Sequence, residues 1–240
     1  MNIGVIFAGG VGSRMKSKGR PKQFLEVHGK PIIVHTLEIF ENNPEIDATI
    51  VVCISEWLDF MNDLVGKFNL KKVKSVVPGG ETGQISIFNG LEAAEKIADG
   101  KDDIVLIHDG VRPLINEELL SNNIKVVKES GSAITSVAAK ETVVLINDNN
   151  EIEEVVDRTR SYIAKAPQSF FLNEILKIQR DAISKGITNA IDSSTLMGIY
   201  NKKLTIVEGP YENIKITTPD DFYTFKALFD AKENAQIYGF

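Results

Sequence analysis

The sequence predicts a three-layer α/β fold, a largely parallel sheet with helices on both faces, from which a β-hairpin arm projects. Three observations carry this expectation. Short β-branched runs alternate with stretches of helical period through the first half of the chain. Two of those runs, residues 3–7 and 104–107, are nearly continuously apolar, as strands buried on both faces are. The alternation then breaks after Ser132, where a hairpin pattern has no helix behind it. In chain order, residues 3–7 form the first strand and run into a glycine-rich turn. Residues 32–40 form a helix, 49–54 a strand, 57–68 a helix, 73–77 a strand, 84–97 a helix, 104–107 a strand and 117–128 a helix. Units of this kind in succession join parallel strands through right-handed crossovers. Residues 133–137 form another strand. Residues 142–146 and 151–156, joined by the turn Asn147-Asp-Asn-Asn150, pair as a hairpin too small to be stable alone, so it packs either on the body or on a second subunit. Helical period returns over 171–184, and a strand over 204–207 precedes Ile214-Lys-Ile-Thr217. The last helix opens at Thr218-Pro-Asp-Asp221, with Thr218 as N-cap, Pro219 at the first helical position and Asp221 three residues after the cap. No repeat, low-complexity tract or linker divides the chain, so residues 1–240 are expected to form one domain with 139–165 as an inserted arm.

The composition narrows the function classes. With 43% hydrophobic and 25% charged residues in 240, the chain can bury a sizeable core and is neither disordered nor fibrous. The single cysteine, Cys53, lies in an apolar run and reads as a small buried hydrophobe, which excludes disulfide scaffolds, zinc ribbons and thioredoxin-type sites. No stretch is apolar over the roughly 18 residues that a membrane span needs, and no basic leader precedes the apolar start, so a cytoplasmic protein without a membrane partner is expected. A formal charge of −6 argues against nucleic acid as a partner, because backbone contact needs a basic face. Any anion this chain binds must meet locally concentrated charge.

Phe7-Ala-Gly-Gly-Val-Gly-Ser-Arg-Met15 offers such a place. Glycines at 9, 10 and 12 let the backbone turn tightly and present N–H groups to an anion, with Arg14 beside them. The alternative is a flexible βα turn. It is not a dinucleotide fingerprint, since the third glycine is missing, nor a Walker loop, which needs Gly-Lys-Ser/Thr. In Arg20-Pro-Lys22-Gln the proline restrains where Lys22 can point, toward a phosphate or simply into solvent. Asp109 falls at the carboxyl edge of the sheet, where open α/β folds place ligands. Amid phosphates a lone carboxylate suits Mg²⁺, which takes one or two carboxylates and completes its shell with phosphate oxygens and water; otherwise Asp109 caps the following turn. Arg112 reads as the partner of a neighbouring carboxylate. His28, His35 and His108 have no metal-binding spacing and receive no chemical role.

These residues carry a family resemblance. Ala8-Gly-Gly-x-Gly-x-Arg14-Met15 followed by Pro21-Lys22-Gln23 resembles the opening of the sugar and polyol phosphate cytidylyltransferases. Val77-Pro-Gly-Gly-Glu81 with Ser86 and Asn89-Gly90-Leu91 resembles that family's second nucleotide block, and His108-Asp-Gly-Val-Arg-Pro113 its metal motif. Val156-Asp-Arg158, Ala166-Pro-Gln168 and Asn213-Ile-Lys215-Ile-Thr217 follow in family order. The resemblance implies a Rossmann-like three-layer nucleotidyltransferase domain that joins CTP and a polyol phosphate with release of pyrophosphate. It implies Arg14, Lys22 and Lys215 as catalytic cations, and Ala8, Gly9, Gly10, Gly12, Gly80, Glu81, Ser86 and Asp109 around the nucleotide. It further implies Asp109 as the Mg²⁺ ligand and Thr142, Arg158, Asp192 and Lys215 on the second substrate, with Thr142 and Arg158 reaching across a homodimer.

The chemistry asks for these residue types. A phosphate monoester with a second pKa of about 6 is already a nucleophile near neutral pH. What opposes its attack on another phosphate is repulsion between anions, which Arg, Lys, backbone N–H groups and a metal relieve. The chain departs from the family where Gly83 replaces an arginine and where Ala166 and Ile191 replace threonines. Together with the opening Ala8-Gly9-Gly10, which resembles the polyol branch, the two missing threonines favour D-ribitol 5-phosphate over 2-C-methyl-D-erythritol 4-phosphate as acceptor, a product class suited to cell-wall or capsule polymers. Two other classes remain open. A non-catalytic nucleotide or polyol-phosphate sensor could drop any of the cations retained here. A nicotinamide-dependent dehydrogenase would need a third glycine and an acidic residue after the second strand, where Glu56 is a weak candidate.

Overall fold

The computed structural model describes residues 1–9 and 19–238, with side chains up to 234. The apolar start of the chain is strand β1 (Asn2–Ala8), and its alternate residues serve opposite faces of the sheet: Ile3 and Val5 enter one core, Ile6 and Ala8 the other. A small ribbon follows, β2 (Glu26–Val27) and β3 (Lys30–Pro31), turned by His28 and Gly29 at positive φ. Then come α1 (Ile32–Asn42), β4 (Ala48–Cys53), α2 (Leu58–Lys67), β5 (Val73–Pro78), α3 (Gly83–Glu95), β6 (Ile104–Asp109) and α4 (Glu117–Ser130). These are the alternating units that the sequence predicts. The second half adds β7 (Ser132–Ala138), β8 (Val144–Ile146), β9 (Ile152–Val155), β10 (Tyr162–Phe171), α5 (Leu172–Ser184), α6 (Ser193–Ile199), β11 (Ile206–Glu208) and α7 (Pro219–Tyr238).

The main sheet has seven strands in the order β11-β7-β10-β6-β1-β4-β5. Its pairings are parallel except for those of β10, which runs against both β6 and β7. Strand β10 has no counterpart among the strands expected from the sequence. The chain leaves β7 into the β8–β9 hairpin and returns with no crossover helix, and a return of that kind lies antiparallel to the strand it left. Pro167, inside β10, hides the strand pattern; the register slips between Ala164 and Gln168, across the cis Ala166–Pro167 bond. Residues 162–164 of the expected arm belong to this strand, paired with 136–138. Ile214–Thr217 forms no ladder; the Ile216 N–H bonds the Val111 carbonyl at 3.0 Å instead.

Helices cover both faces, as expected. α1, α2 and α4 pack on the side of Ile6, Val51 and Leu106, while α3, α5 and α6 pack on the side of Val5, Val52 and Ile107. Contact between α3 and the sheet is close: a Cβ on Gly90 would lie 2.6 Å from Val5 and 2.7 Å from Val52. The amino-terminal end of α3 is thereby fixed beside the ends of β1 and β5. The last helix starts as read, with Asp221 Oδ2 accepting from the Thr217 and Thr218 N–H groups at 2.8 Å, and its Phe225 joins Ile32, Val111 and Ile216 in a third core. Cys53 is fully buried, and burial pushes its thiol up to about 11, so it is an inert core residue. Among the described residues no helix is long and apolar enough to cross a membrane.

Candidate active site

Strand order reverses at β1. The chain steps outward to β4 and β5 on one side and then returns to place β6 on the other, which opens a crevice at the carboxyl ends of β1 and β6. Phe7 of β1 lies in register with Asp109 of β6, so the glycine turn and the aspartate meet at this edge. The second glycine block arrives from β5. Ser86, buried on α3, ties it down by accepting from the Gly80 N–H at 3.0 Å and donating to the Thr82 carbonyl at 2.9 Å. Side chains are not admitted here: a Cβ on Gly9 or Gly79 would lie 3.1 Å from Ser86 Oγ, and one on Gly80 would lie 2.2 Å from Ile85 Cγ2. Ala8, Gly9, Gly80 and Ser86 thus form one backbone-lined corner, and Glu81 is exposed beside it. Gly10, Gly12 and Arg14 lie outside the described residues.

The Pro21-Lys22-Gln23 segment is anchored to the same corner. Buried Gln23 donates from Nε2 to the Ala8 carbonyl at 2.7 Å, which ties the backbone next to Lys22 to the end of β1. The Lys22 charge is felt at Asp221, whose carboxyl stays below its ordinary range: burial opposes this, but hydrogen bonds from Thr218 and Thr217 and the Lys22 charge prevail.

A cavity of about 330 Å³ opens beside this corner, lined by Phe7, Ile87 and Ile107 on its apolar side and by Asp109, Arg112, Lys165, Gln168, Asp192 and Lys215 among its polar groups. Asp109 is buried and doubly paired, with Arg112 Nε at 2.8 Å from one oxygen and Lys215 Nζ at 2.6 Å from the other. Burial works against its charged form, yet Lys215 and Arg112 together hold its carboxyl below the usual range. The carboxylate therefore orients two cations. Arg112 is the ion-pair partner that the sequence suggested, and its Nη1 also reaches the Asn213 carbonyl at 2.8 Å, while Asn213 Nδ2 donates to the Ala166 carbonyl at 2.7 Å. This chain of contacts draws the Asp109, Ala166 and Asn213 segments to one place. The remaining cation of the wall, Lys165, was not singled out from the sequence; a basic residue immediately before Ala166-Pro-Gln168 was the available signal.

Asp192 caps α6, accepting from the Thr195 N–H at 2.7 Å and from Gln168 Nε2 at 2.9 Å. Burial opposes ionisation there, but these hydrogen bonds keep its carboxyl low, so Asp192 presents a fixed negative acceptor to the cavity. Gly83, Ala166 and Ile191, the positions that depart from the family pattern, all line this same cavity. Thr142 and Arg158 do not. Both sit exposed on the arm, and the Asp157 carboxylate bonds Thr159 rather than Arg158.

A Mg²⁺ ion needs only one or two carboxylates when substrate phosphates complete its shell. Asp109 alone meets that donor set, because its Lys215 partner is a long, half-exposed side chain able to turn to a phosphate. Among the described residues the one cluster of three potential ligands, His28, Asp230 and Glu233, lies on the surface away from this cavity.

The glycine corner, the three-cation wall and the crevice at a reversal of strand order define a phosphate-handling α/β enzyme site. The profile of the IspD family, 2-C-methyl-D-erythritol 4-phosphate cytidylyltransferase, matches residues 3–230, and the chain belongs to this family. It is 76% identical over 239 residues to a ribitol-5-phosphate cytidylyltransferase of Streptococcus agalactiae serotype III, covering all of both chains. It is 37% identical over 229 residues to a 2-C-methyl-D-erythritol 4-phosphate cytidylyltransferase of Clostridium acetobutylicum, covering 95% of this chain and 97% of the relative. Among solved structures it resembles the 4-diphosphocytidyl-2C-methyl-D-erythritol synthase of Anaerococcus prevotii, with a TM-score of 0.82 and 29% identity over 95% of this chain and 96% of that one.

Proposed function

We propose that this chain is a cytidylyltransferase that joins CTP and D-ribitol 5-phosphate to give CDP-ribitol and pyrophosphate. The observation that carries the choice of acceptor is the 76% identity, end to end, with the Streptococcus agalactiae protein. The geometry supports the chemistry. An oxygen of the acceptor's phosphate attacks the α-phosphorus of CTP; a new P–O bond forms, the bond to the β-phosphate breaks, and pyrophosphate leaves with its electron pair. No general base is required, since the attacking phosphate is already ionised above its second pKa of about 6. The work left to the protein is to neutralise and align anions. The glycine corner at Gly9 and Gly80 is taken to receive the nucleotide phosphates, with Lys22 beside it, and Lys215 turns from Asp109 toward the transferring group; Arg14, which lies outside the described residues, is the further cation assigned to those phosphates. Asp109 is the residue that would hold Mg²⁺, and the ion would supply further positive charge to offset the repulsion between the phosphates.

Two further parts of this reading concern assembly. We take residues 1–240 as one domain whose arm, 139–165, covers a second copy of the chain. The arm's apolar residues are bare in the single chain, with Leu145 49%, Ile152 64% and Val155 62% exposed, and a hairpin of this size does not stand alone. In such a homodimer Thr142 and Arg158 would reach the acceptor phosphate of the other subunit, where a guanidinium can bind two oxygens at once.

The test is pyrophosphate release from CTP in the presence of Mg²⁺ with ribitol 5-phosphate, methylerythritol 4-phosphate and other alditol phosphates. Release that is fastest with ribitol 5-phosphate is the expected result. Preference for methylerythritol 4-phosphate moves the chain to the isoprenoid branch, and no release with any acceptor supports a sensor.

A further inference from the structure

The charges of the cavity wall are unevenly satisfied. Arg112 and Lys215 share the Asp109 carboxylate, and Asp192 is held by neutral donors. Lys165 differs from the other two cations. It is half-buried, its Nζ donates to the Tyr211 carbonyl at 2.9 Å, and among the described residues no carboxylate pairs with it. Tyr211 fixes this neighbourhood further: its hydroxyl donates to the Ala138 carbonyl, and Lys140 Nζ stands 3.5 Å over its ring. Burial and the nearby Arg112 charge hold the Lys165 ammonium below lysine's ordinary range, against the opposing pull of Glu212. Lys165 thus lines a cavity of about 330 Å³ as a cation held by a neutral carbonyl, which a swing of its side chain would free for an anion entering there. Ala166 and Ile191, on the same wall, offer no hydroxyl to a ligand.

We propose that Lys165 is the residue of this cavity that grips the phosphate of the acceptor. The proposal rests on the acceptor class argued above. An ammonium suits this role because a phosphate dianion both supplies the missing counter-charge and accepts its hydrogen bonds, whereas a hydroxyl supplies only the second.

The test is Lys165→Met, which keeps the aliphatic stem and removes the charge, alongside Lys165→Arg. Steady-state kinetics of Lys165→Met should show KM for ribitol 5-phosphate raised about 10- to 100-fold, KM for CTP changed by less than about twofold, and most of the loss recovered in Lys165→Arg. An unchanged acceptor KM, or an equal rise in KM for CTP, overturns the assignment. If the wild-type chain turns over no alditol phosphate, the function proposed above fails instead. Lys165 is then judged by calorimetric titration of inorganic phosphate into the wild-type and Lys165→Met proteins: weaker binding to the variant supports the subsite, and equal affinity overturns it.

Discussion

Asp109 shows how a single buried carboxylate organises this site. It pairs with Arg112, a mostly buried side chain that also bonds the Asn213 carbonyl, and with Lys215, which is 43% exposed and so has room to swing away. Lys215→Ala should therefore lower kcat/KM by about 10²–10³, the usual cost of removing one preorganised electrostatic contact, while Asp109 keeps Arg112 as its partner and the fold survives. Steady-state kinetics together with a thermal melt check this, and near-normal turnover would remove Lys215 from the mechanism. His108, the neighbour of Asp109, acts on stability instead. It is wholly buried, its Nε2 pairs with the Arg112 carbonyl at 3.1 Å, and its Nδ1 has no partner among the described residues. Burial pushes its pKa down to about 4, so the unfolded chain, with an ordinary histidine, binds the proton first as pH falls. The His108 contribution is complete above about pH 6.5 and is lost between there and about pH 4, amounting to about 3 kcal/mol. Denaturant unfolding at pH 7 and pH 5 should show a smaller loss in His108→Gln than in the wild type; His35, also depressed by burial, supplies the slope that remains. Equal losses in both proteins would contradict this. The residue types of the site were legible because phosphate chemistry demands glycines, cations and a carboxylate. The double pairing of Asp109 was not, since Lys215 comes from the far end of the chain.

At the scale of elements, strands with unbroken apolar runs and helices with a clear period announced themselves. β10 did not, because Pro167 interrupts its pattern and because its place between β6 and β7 follows from the missing crossover helix rather than from its own residues. The short helix α6 escaped for a different reason: its N-cap, Asp192, looked like a substrate ligand, and it serves both as a cap and as a wall of the cavity. The arm was readable as a hairpin with an apolar set and nothing to cover it. Since β8 and β9 are exposed throughout, changing them should leave the fold of a single chain nearly untouched, within about 0.5 kcal/mol. Leu145→Asp combined with Ile152→Asp is thus expected to yield a folded monomer with little activity, and the wild type is expected to sediment as a dimer. Sedimentation velocity checks both species, and a wild-type monomer, or a doubly substituted dimer of unchanged affinity, would count against assembly through the arm.

On the scale of the whole molecule, the fold brings three segments distant in sequence to one sheet edge: the end of β1, the loop before α3 and the end of β6. Glycine-lined backbone and a wall of cations then lie along one crevice, an arrangement that suits the proposed transfer between two phosphates without a proton-abstracting base. The glycine-lined side of this crevice was readable from glycine spacing. The cation-lined cavity wall was not, because it is assembled from β10, the start of α6 and the segment leading to Lys215, and because Gly83, Ala166 and Ile191 stand at positions where the family pattern has other residues. The choice of acceptor is consequently the sharpest claim made here, and a competition addresses it directly. Equal concentrations of ribitol 5-phosphate and methylerythritol 4-phosphate are supplied with CTP and Mg²⁺ in one reaction, and the two cytidine diphosphate products are weighed by mass spectrometry. The account predicts CDP-ribitol as the dominant product from the earliest time points; a dominant CDP-methylerythritol signal would contradict it.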